Sequence, residues 1–260
     1  MSVFRNVVFV AALAGLVAAV VMTALQMFST VPLILQAEDY EQAADVSGHD
    51  HAAFPADQHA GAADMSTTAM ASEAAAPAHE HGEGAWEPAD GFERYSFTAL
   101  ANIVTGIGFA LILVVASEFA GGLASWRQGL LWGLAGFAVF TLAPGLGLPP
   151  ELPAMPAADL AARQVWWWGT AAATAAGLTL IAFRRALPLA ALGVALIVVP
   201  HIIGAPQPAD FETPIPEGLH HQFVVAVTVT NLVFWVVLGM AAGALRSRFM
   251  SGEDLRSSFA

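Results

Sequence analysis

The chain has no cysteine and no lysine, only two tyrosines, and 12% charged residues over 260 positions. Each shortage excludes something. Without cysteine there is neither a disulfide framework nor thiolate ligation of a metal. Soluble domains carry about 25% charge, so this chain has too little polar surface for a sizeable water-soluble body. Its nine basic residues, all arginine, face 21 acids, and the net charge of −12 argues against nucleic acid and suits cationic partners. Catalytic signatures are missing too. There is no G-x-x-x-x-G-K-[ST], no H-E-x-x-H and no G-x-S-x-G, so P-loop hydrolysis, zinc proteolysis and a nucleophile elbow are excluded and the chain reads as a non-enzyme.

What is present is apolar: 57% of residues are hydrophobic, and the mean hydropathy is +0.64. Runs of roughly 20 such residues each suffice to cross a ~30 Å hydrocarbon layer as a helix. The expected fold is all-α, a polytopic membrane bundle of about six helices near 7–28, 97–119, 129–147, 164–183, 186–203 and 223–245. The chain divides into a first transmembrane helix (1–32), an external His- and acid-rich low-complexity loop (33–95), a five-helix bundle (96–245) and a cytoplasmic tail (246–260). Arg5, Arg127, Arg184, Arg185, Arg246, Arg248 and Arg256 fall on one side, Arg94 and Arg163 on the other. The positive-inside rule puts the first group and both termini in the cytoplasm. The first apolar stretch exceeds the ~7–15 residues of a signal-peptide core and no A-x-A site follows, so it is expected to stay uncleaved.

The external loop carries two H-x-H pairs, His49/His51 and His79/His81, with His59 between them and acids around them. In extended backbone, residues i and i+2 point the same way, so both imidazoles of a pair can meet one ion. Imidazole and carboxylate suit borderline divalent ions, Co²⁺, Ni²⁺ or Zn²⁺. Closing the loop between the pairs costs roughly 3 kcal/mol plus a constant, against ~10–16 kcal/mol from structural zinc binding. Imidazole ligands must be neutral, and free histidine titrates near ~6.5, so capture by this loop should weaken below about pH 6. Its centre offers little apolar area to offset chain entropy and is expected to be disordered.

Polar groups also mark the spans. His201 follows Pro200 at an outer helix end, where the proline frees a carbonyl one turn earlier; such broken helices line ion sites in transporters. Glu151, Asp159, Arg163 and Gln164 bracket the start of the fourth span, with Asp159 and Arg163 spaced for an i,i+4 ion pair. Gln26 and Glu38 are placed to face the same entrance, and Asn102 and Asn231 lie inside spans as candidate interhelical hydrogen-bonding groups. Glu118 is expected to pair with Arg127, and Trp166, Trp167 and Trp168 to anchor at the interface. Gly169, Ala173 and Gly177, and likewise Gly239 and Gly243, read as small-residue packing faces. His220 and His221 diverge on a helix, so at most one is a ligand.

The stretches "TALQMFSTVPLILQAEDYE", "WEPADGFERYSFTALANIVTGIGFALIL", "GFAVFTLAPGLGLPPELP", "AADLAARQVWWW" and "PHIIGAPQP" together resemble the predicted cobalt transporter family CbtA. The family's glycine after "PELP" is Ala154 here, a departure at a turn. The resemblance implies cobalt uptake across the bacterial inner membrane. It also implies a small single-span partner with a histidine-rich tail (CbtB-like). Positions matching the family motifs are Gln26, Glu38, Glu93, Arg94, Glu151, Asp159, Arg163, Gln164, His201 and Gln207. The expectation is a Co²⁺ permease or its main subunit, with no tightly bound cofactor. The outer loop would capture the ion, and Glu38, Glu151 and His201 would receive it. The alternatives are a membrane-anchored protein that binds or senses divalent metal, or a nickel or zinc transporter.

Overall fold

The computed structural model describes residues 2–50, 88–89, 91–184 and 186–257, and all regular structure among them is helical. The helices are α1 (Ser2–Phe28), α2 (Val31–Asp50), α3 (Phe92–Glu118), α4 (Trp126–Phe137), a π-helical segment (Ala138–Leu142) that runs on into α5 (Ala143–Gly147), α6 (Leu160–Phe183), α7 (Leu187–Ile203) and α8 (Glu217–Ser257). Four stretches are long and apolar enough to cross a membrane: Phe4–Phe28, Phe92–Glu118, Trp126–Gly147 and Glu217–Phe249. Leu187–Ile203 is apolar but only 17 residues long. In α6 the three tryptophans and several threonines dilute the hydropathy of a helix otherwise long enough.

Neighbouring helices alternate in direction. Phe9 packs on Phe249 and Ser29 on Thr230, so α1 and α8 are antiparallel. Trp132 meets Phe183 at one end of α6, and Trp166 meets Pro200 of α7 at the other. Following these pairings, Arg5, Arg127, Arg184, Arg246 and Arg248 collect at one end of the bundle. Glu38, Arg94, Glu151, Arg163, His201 and His220 collect at the other. We call these the arginine-rich end and the acidic end.

Close backbone contact holds the helices together. A Cβ on Gly239 would collide with the carbonyl oxygen of Gly129, and one on Gly129 with the carbonyl oxygen of Gly239, so α4 and α8 touch along Gly129, Gly133, Gly239 and Gly243. Without a hydrophobic drive between helices in lipid, such small-residue seams supply the packing. Gly177 of α6 meets Gly193 of α7 in the same way, whereas Gly169 faces open space, so only part of the expected small-residue face on α6 is used.

The π segment has an evident cause. Pro144 has no N–H to offer the preceding turn, and the Ala143 N–H bonds to the Ala138 carbonyl, five residues back. The bulge carries Phe140 into an aromatic cluster. Its ring stacks 5.7 Å from Trp235 and 6.2 Å from Trp167, with Phe109 5.3 Å away. Trp167 thereby ties α6 to the bundle.

Helical structure covers more of the connection 33–95 than its low-complexity composition predicts. Residues 31–50 form α2, because Leu33, Ile34 and Ala37 share a face that packs on Leu152, Ile215, Leu219 and Phe223. Helix α3 begins at Phe92, and α8 runs on through the expected tail to Ser257. The centre of the 33–95 loop, expected to be disordered, falls within residues 51–87, which lie outside the described residues.

Candidate functional site

Two ion pairs dominate the acidic end. Glu38 on α2 accepts from Arg94 Nη1 at 2.9 and 3.2 Å, and both side chains are roughly 70% buried, with relative exposures of 28% and 29%. Helix α2 positions the carboxylate, because Ala37 beside it is fully buried against Leu152 and α8. Glu151, just before Leu152, meets Arg163 Nη2 at 2.9 Å. This corrects the expected Asp159–Arg163 pair. Asp159 caps α6 instead, accepting from the Ala162 N–H at 2.8 Å, which frees Arg163 to reach back to Glu151. Glu93 serves locally too, accepting from the Ala89 N–H at 3.3 Å.

Around these pairs the connection 148–159 is tied to α8. His220 Nε2 lies 3.1 Å from the Pro150 carbonyl, while His221 is exposed. Ala154 sits in the left-handed region at φ 61°, where glycine is the favoured residue. Thr213 Oγ1 donates to its carbonyl at 3.0 Å and holds it there.

His201 is half-buried on α7, edge-on to Trp166 with 5.9 Å between ring centroids. The Trp166 indole donates to the Pro200 carbonyl at 3.3 Å, so Trp166 is a strut within the fold and Trp167 stacks on Phe140. Only Trp168, 64% exposed, points outward as an anchor would. Gln164 and Gln207 are exposed, and Gln207 donates to the Ala205 carbonyl at 3.3 Å.

A polar network lies one to two turns deeper. Asn102 Nδ2 on α3 donates to Gln26 Oε1 at 2.6 Å and Thr23 Oγ1 at 3.0 Å, an interhelical link as expected. Asn231 behaves differently: its Nδ2 donates to the Val227 carbonyl of its own helix at 2.9 Å. Gln26, Asn231, Thr30, Thr230 and Met22 line a cavity of ≈130 Å³. Gln26 and Asn231 stand out in the sequence, whereas Met22, Thr30 and Thr230 do not. The i,i+4 spacing of Gln26 and Thr30 and the adjacency of Thr230 and Asn231 are the only local signals for them.

Among the described residues no three His, Asp or Glu side chains gather as a ligand set for a metal, so Glu38, Glu151 and His201 do not form one closed site. At His49 the backbone is helical and not extended. His51, His59, His79 and His81 lie outside the described residues.

The arginine-rich end is built differently. Arg246 Nε and Nη2 donate to the two oxygens of Glu118 at 2.6 and 2.8 Å, and Nη1 donates to the Leu123 carbonyl at 2.9 Å. Glu118 was expected to pair with Arg127, but Arg127 lies over the Trp126 ring, 5.4 Å from its centroid. The antiparallel run of α8 delivers Arg246 instead. Gly122 makes room for it: its φ is +79°, and a Cβ there would collide with the guanidinium.

Several membrane-length apolar helices, packed by small-residue seams and carrying acids and imidazoles at one end and arginines at the other, define a multi-helix membrane protein. More specifically, the chain belongs to the CbtA family, described as probable cobalt transporter subunits, whose model matches residues 4–247. No curated protein and no solved structure matches the chain.

Proposed function

We propose that the chain is the permease, or the main permease subunit, of a cobalt uptake system in the bacterial inner membrane. One observation carries this reading: in a transporter-subunit family, acids and imidazoles collect at one end of the bundle and arginines at the other. The positive-inside rule turns the arginine-rich end and both termini to the cytoplasm, and the acidic end outward. We count six crossings: α1, α3, the α4–α5 unit, α6, α7 and α8. The α6–α7 pair runs between the same two ends as the longer helices.

In this reading His49, His51, His59, His79 and His81 capture Co²⁺ and raise its concentration at the entrance. Glu38 and Glu151 receive it by exchange. Each carboxylate is held by a guanidinium of single charge, and a divalent ion competes for the same oxygens. His201, against Trp166 one turn along from Arg163, offers an imidazole beside the second pair. Gln26, Asn102 and Asn231 continue the polar route inward, while Glu93, Asp159, Gln164 and Gln207 shape its rim. With the inside negative, two charges crossing 100 mV release about 4.6 kcal/mol, enough for accumulation without nucleotide hydrolysis. The partner is a small, single-span, His-tailed protein of the CbtB kind.

Deleting residues 45–85 tests the division of labour. A permease keeps accumulating radioactive cobalt, with a higher half-saturating concentration. A membrane-tethered binding or sensing protein loses its activity altogether. A wild-type chain that moves no cobalt into vesicles, alone or with its CbtB-like partner, overturns the permease reading.

A further inference from the structure

The cavity between α1, α2 and α8 has a mixed lining, four of its eight side chains being polar. A void in an apolar bundle is walled by aliphatic groups and stays dry; polar walls hold water. Here Gln26, Thr30, Thr230, Asn231 and the Met22 thioether share the wall with Ile34 and other apolar groups. Its ≈130 Å³ exceeds the ~30 Å³ share of one liquid water several times over.

The polar groups are also oriented. Asn231 spends its amide N–H on the Val227 carbonyl, which leaves its Oδ1 as a free acceptor. Thr30 Oγ1 donates back to the Gln26 carbonyl at 3.4 Å and keeps its lone pairs, and Thr230 Oγ1 is linked to Ser29 Oγ at 3.3 Å. Gln26 is fixed by Asn102. No carboxylate and no cationic side chain lines the cavity. Its position is also specific. Ile34, which lines the cavity, lies one turn before Glu38 on the same face of α2, so the cavity wall is one helical turn along α2 from the Glu38–Arg94 pair.

We infer that this cavity is a dwell site for a partly hydrated divalent cation that has left Glu38, held through Asn231 Oδ1, the Thr30 and Thr230 hydroxyls and retained waters. Neutral acceptors suit that task. They replace part of a hydration shell without the grip of a carboxylate, and a conduction site must bind weakly enough to release. The inference rests on the permease reading for its place in a route, but ion binding in the cavity can be measured without transport.

The absence of native cysteine makes the test clean. Val227→Cys places one thiol on the cavity wall of the full chain, co-expressed with its CbtB-like partner in membrane vesicles. The probes are a small cationic methanethiosulfonate reagent and Co²⁺ alone. Co²⁺ should slow labelling at least about 3-fold, and adding Asn231→Ala should abolish that protection. Asn231→Asp, a near-isosteric change, should lower the half-saturating cobalt concentration for uptake while reducing the maximal rate several-fold. A thiol never labelled under any condition means a dry cavity and overturns the inference. So does protection that survives Asn231→Ala, which would assign the ion to the introduced thiol. Transport without protection sinks this site alone, whereas protection without transport sinks the permease reading alone.

Discussion

The two ends of the bundle are both closed by arginine–glutamate pairs, yet they are built to opposite standards. At the arginine-rich end Arg246 uses three nitrogens, two on Glu118 and one on the Leu123 carbonyl, and its side chain is only 12% exposed, while that of Glu118 is 33% exposed. At the acidic end one nitrogen of Arg94, Nη1, donates to both oxygens of Glu38, Arg163 Nη2 meets one oxygen of Glu151, and all four side chains are 25–29% exposed. The glycine seam between α4 and α8 tightens the half nearer the arginine-rich end, while the half nearer the acidic end holds a partly open cavity lined by both polar and apolar side chains. Bidentate, shielded pairs fix geometry; more hydrated pairs exchange partners cheaply. The contrast fits the proposed entry of cations at one end and a brace at the other.

Breaking the brace should cost most. Arg246→Ala leaves Glu118 unpaired in a half-buried setting, and we expect a loss of about 2–4 kcal/mol, read as a lowered midpoint of thermal unfolding in detergent. Next, Gly239→Ala forces a Cβ against the Gly129 carbonyl oxygen and should cost about 1–3 kcal/mol in the same assay, while Gly169→Ala, which meets nothing, should be close to neutral. At the acidic end Arg163→Ala should cost less than about 1 kcal/mol, because a pair held by a single contact and still reached by solvent contributes little. Equal losses for Arg246→Ala and Arg163→Ala would erase the distinction between the ends. The smallest effect is a gain. Ala154→Gly relieves a left-handed alanine and should stabilise the acidic-end turn by about 0.5–1 kcal/mol.

The apolar runs and the arginine asymmetry made the bundle and its two ends legible in the sequence. The expected run 186–203 agrees closely with α7, and 129–147 with the α4–α5 unit, because apolar length and flanking proline are local signals. Helix α2 was hidden because its hydrophobic face is short: Leu33, Ile34 and Ala37 bury against residues more than a hundred positions away. The same distance hides the ion pairs. Local spacing favoured Glu118 with Arg127 and Asp159 with Arg163, while the folded chain brings up Arg246 and Glu151 from elsewhere. The π segment had only Pro144 to announce it. The cavity needed three helices to assemble, so its threonines read as ordinary span residues.

The central claim is that divalent cations enter past Glu38 and Glu151. Initial rates of radioactive cobalt uptake, measured in cells carrying the full chain with the proposed partner subunit, compare the wild type with the Glu38→Gln, Glu151→Gln double variant. The account predicts at least a 10-fold rise in the half-saturating cobalt concentration at unchanged protein abundance. Uptake with the same concentration dependence as the wild type would contradict it.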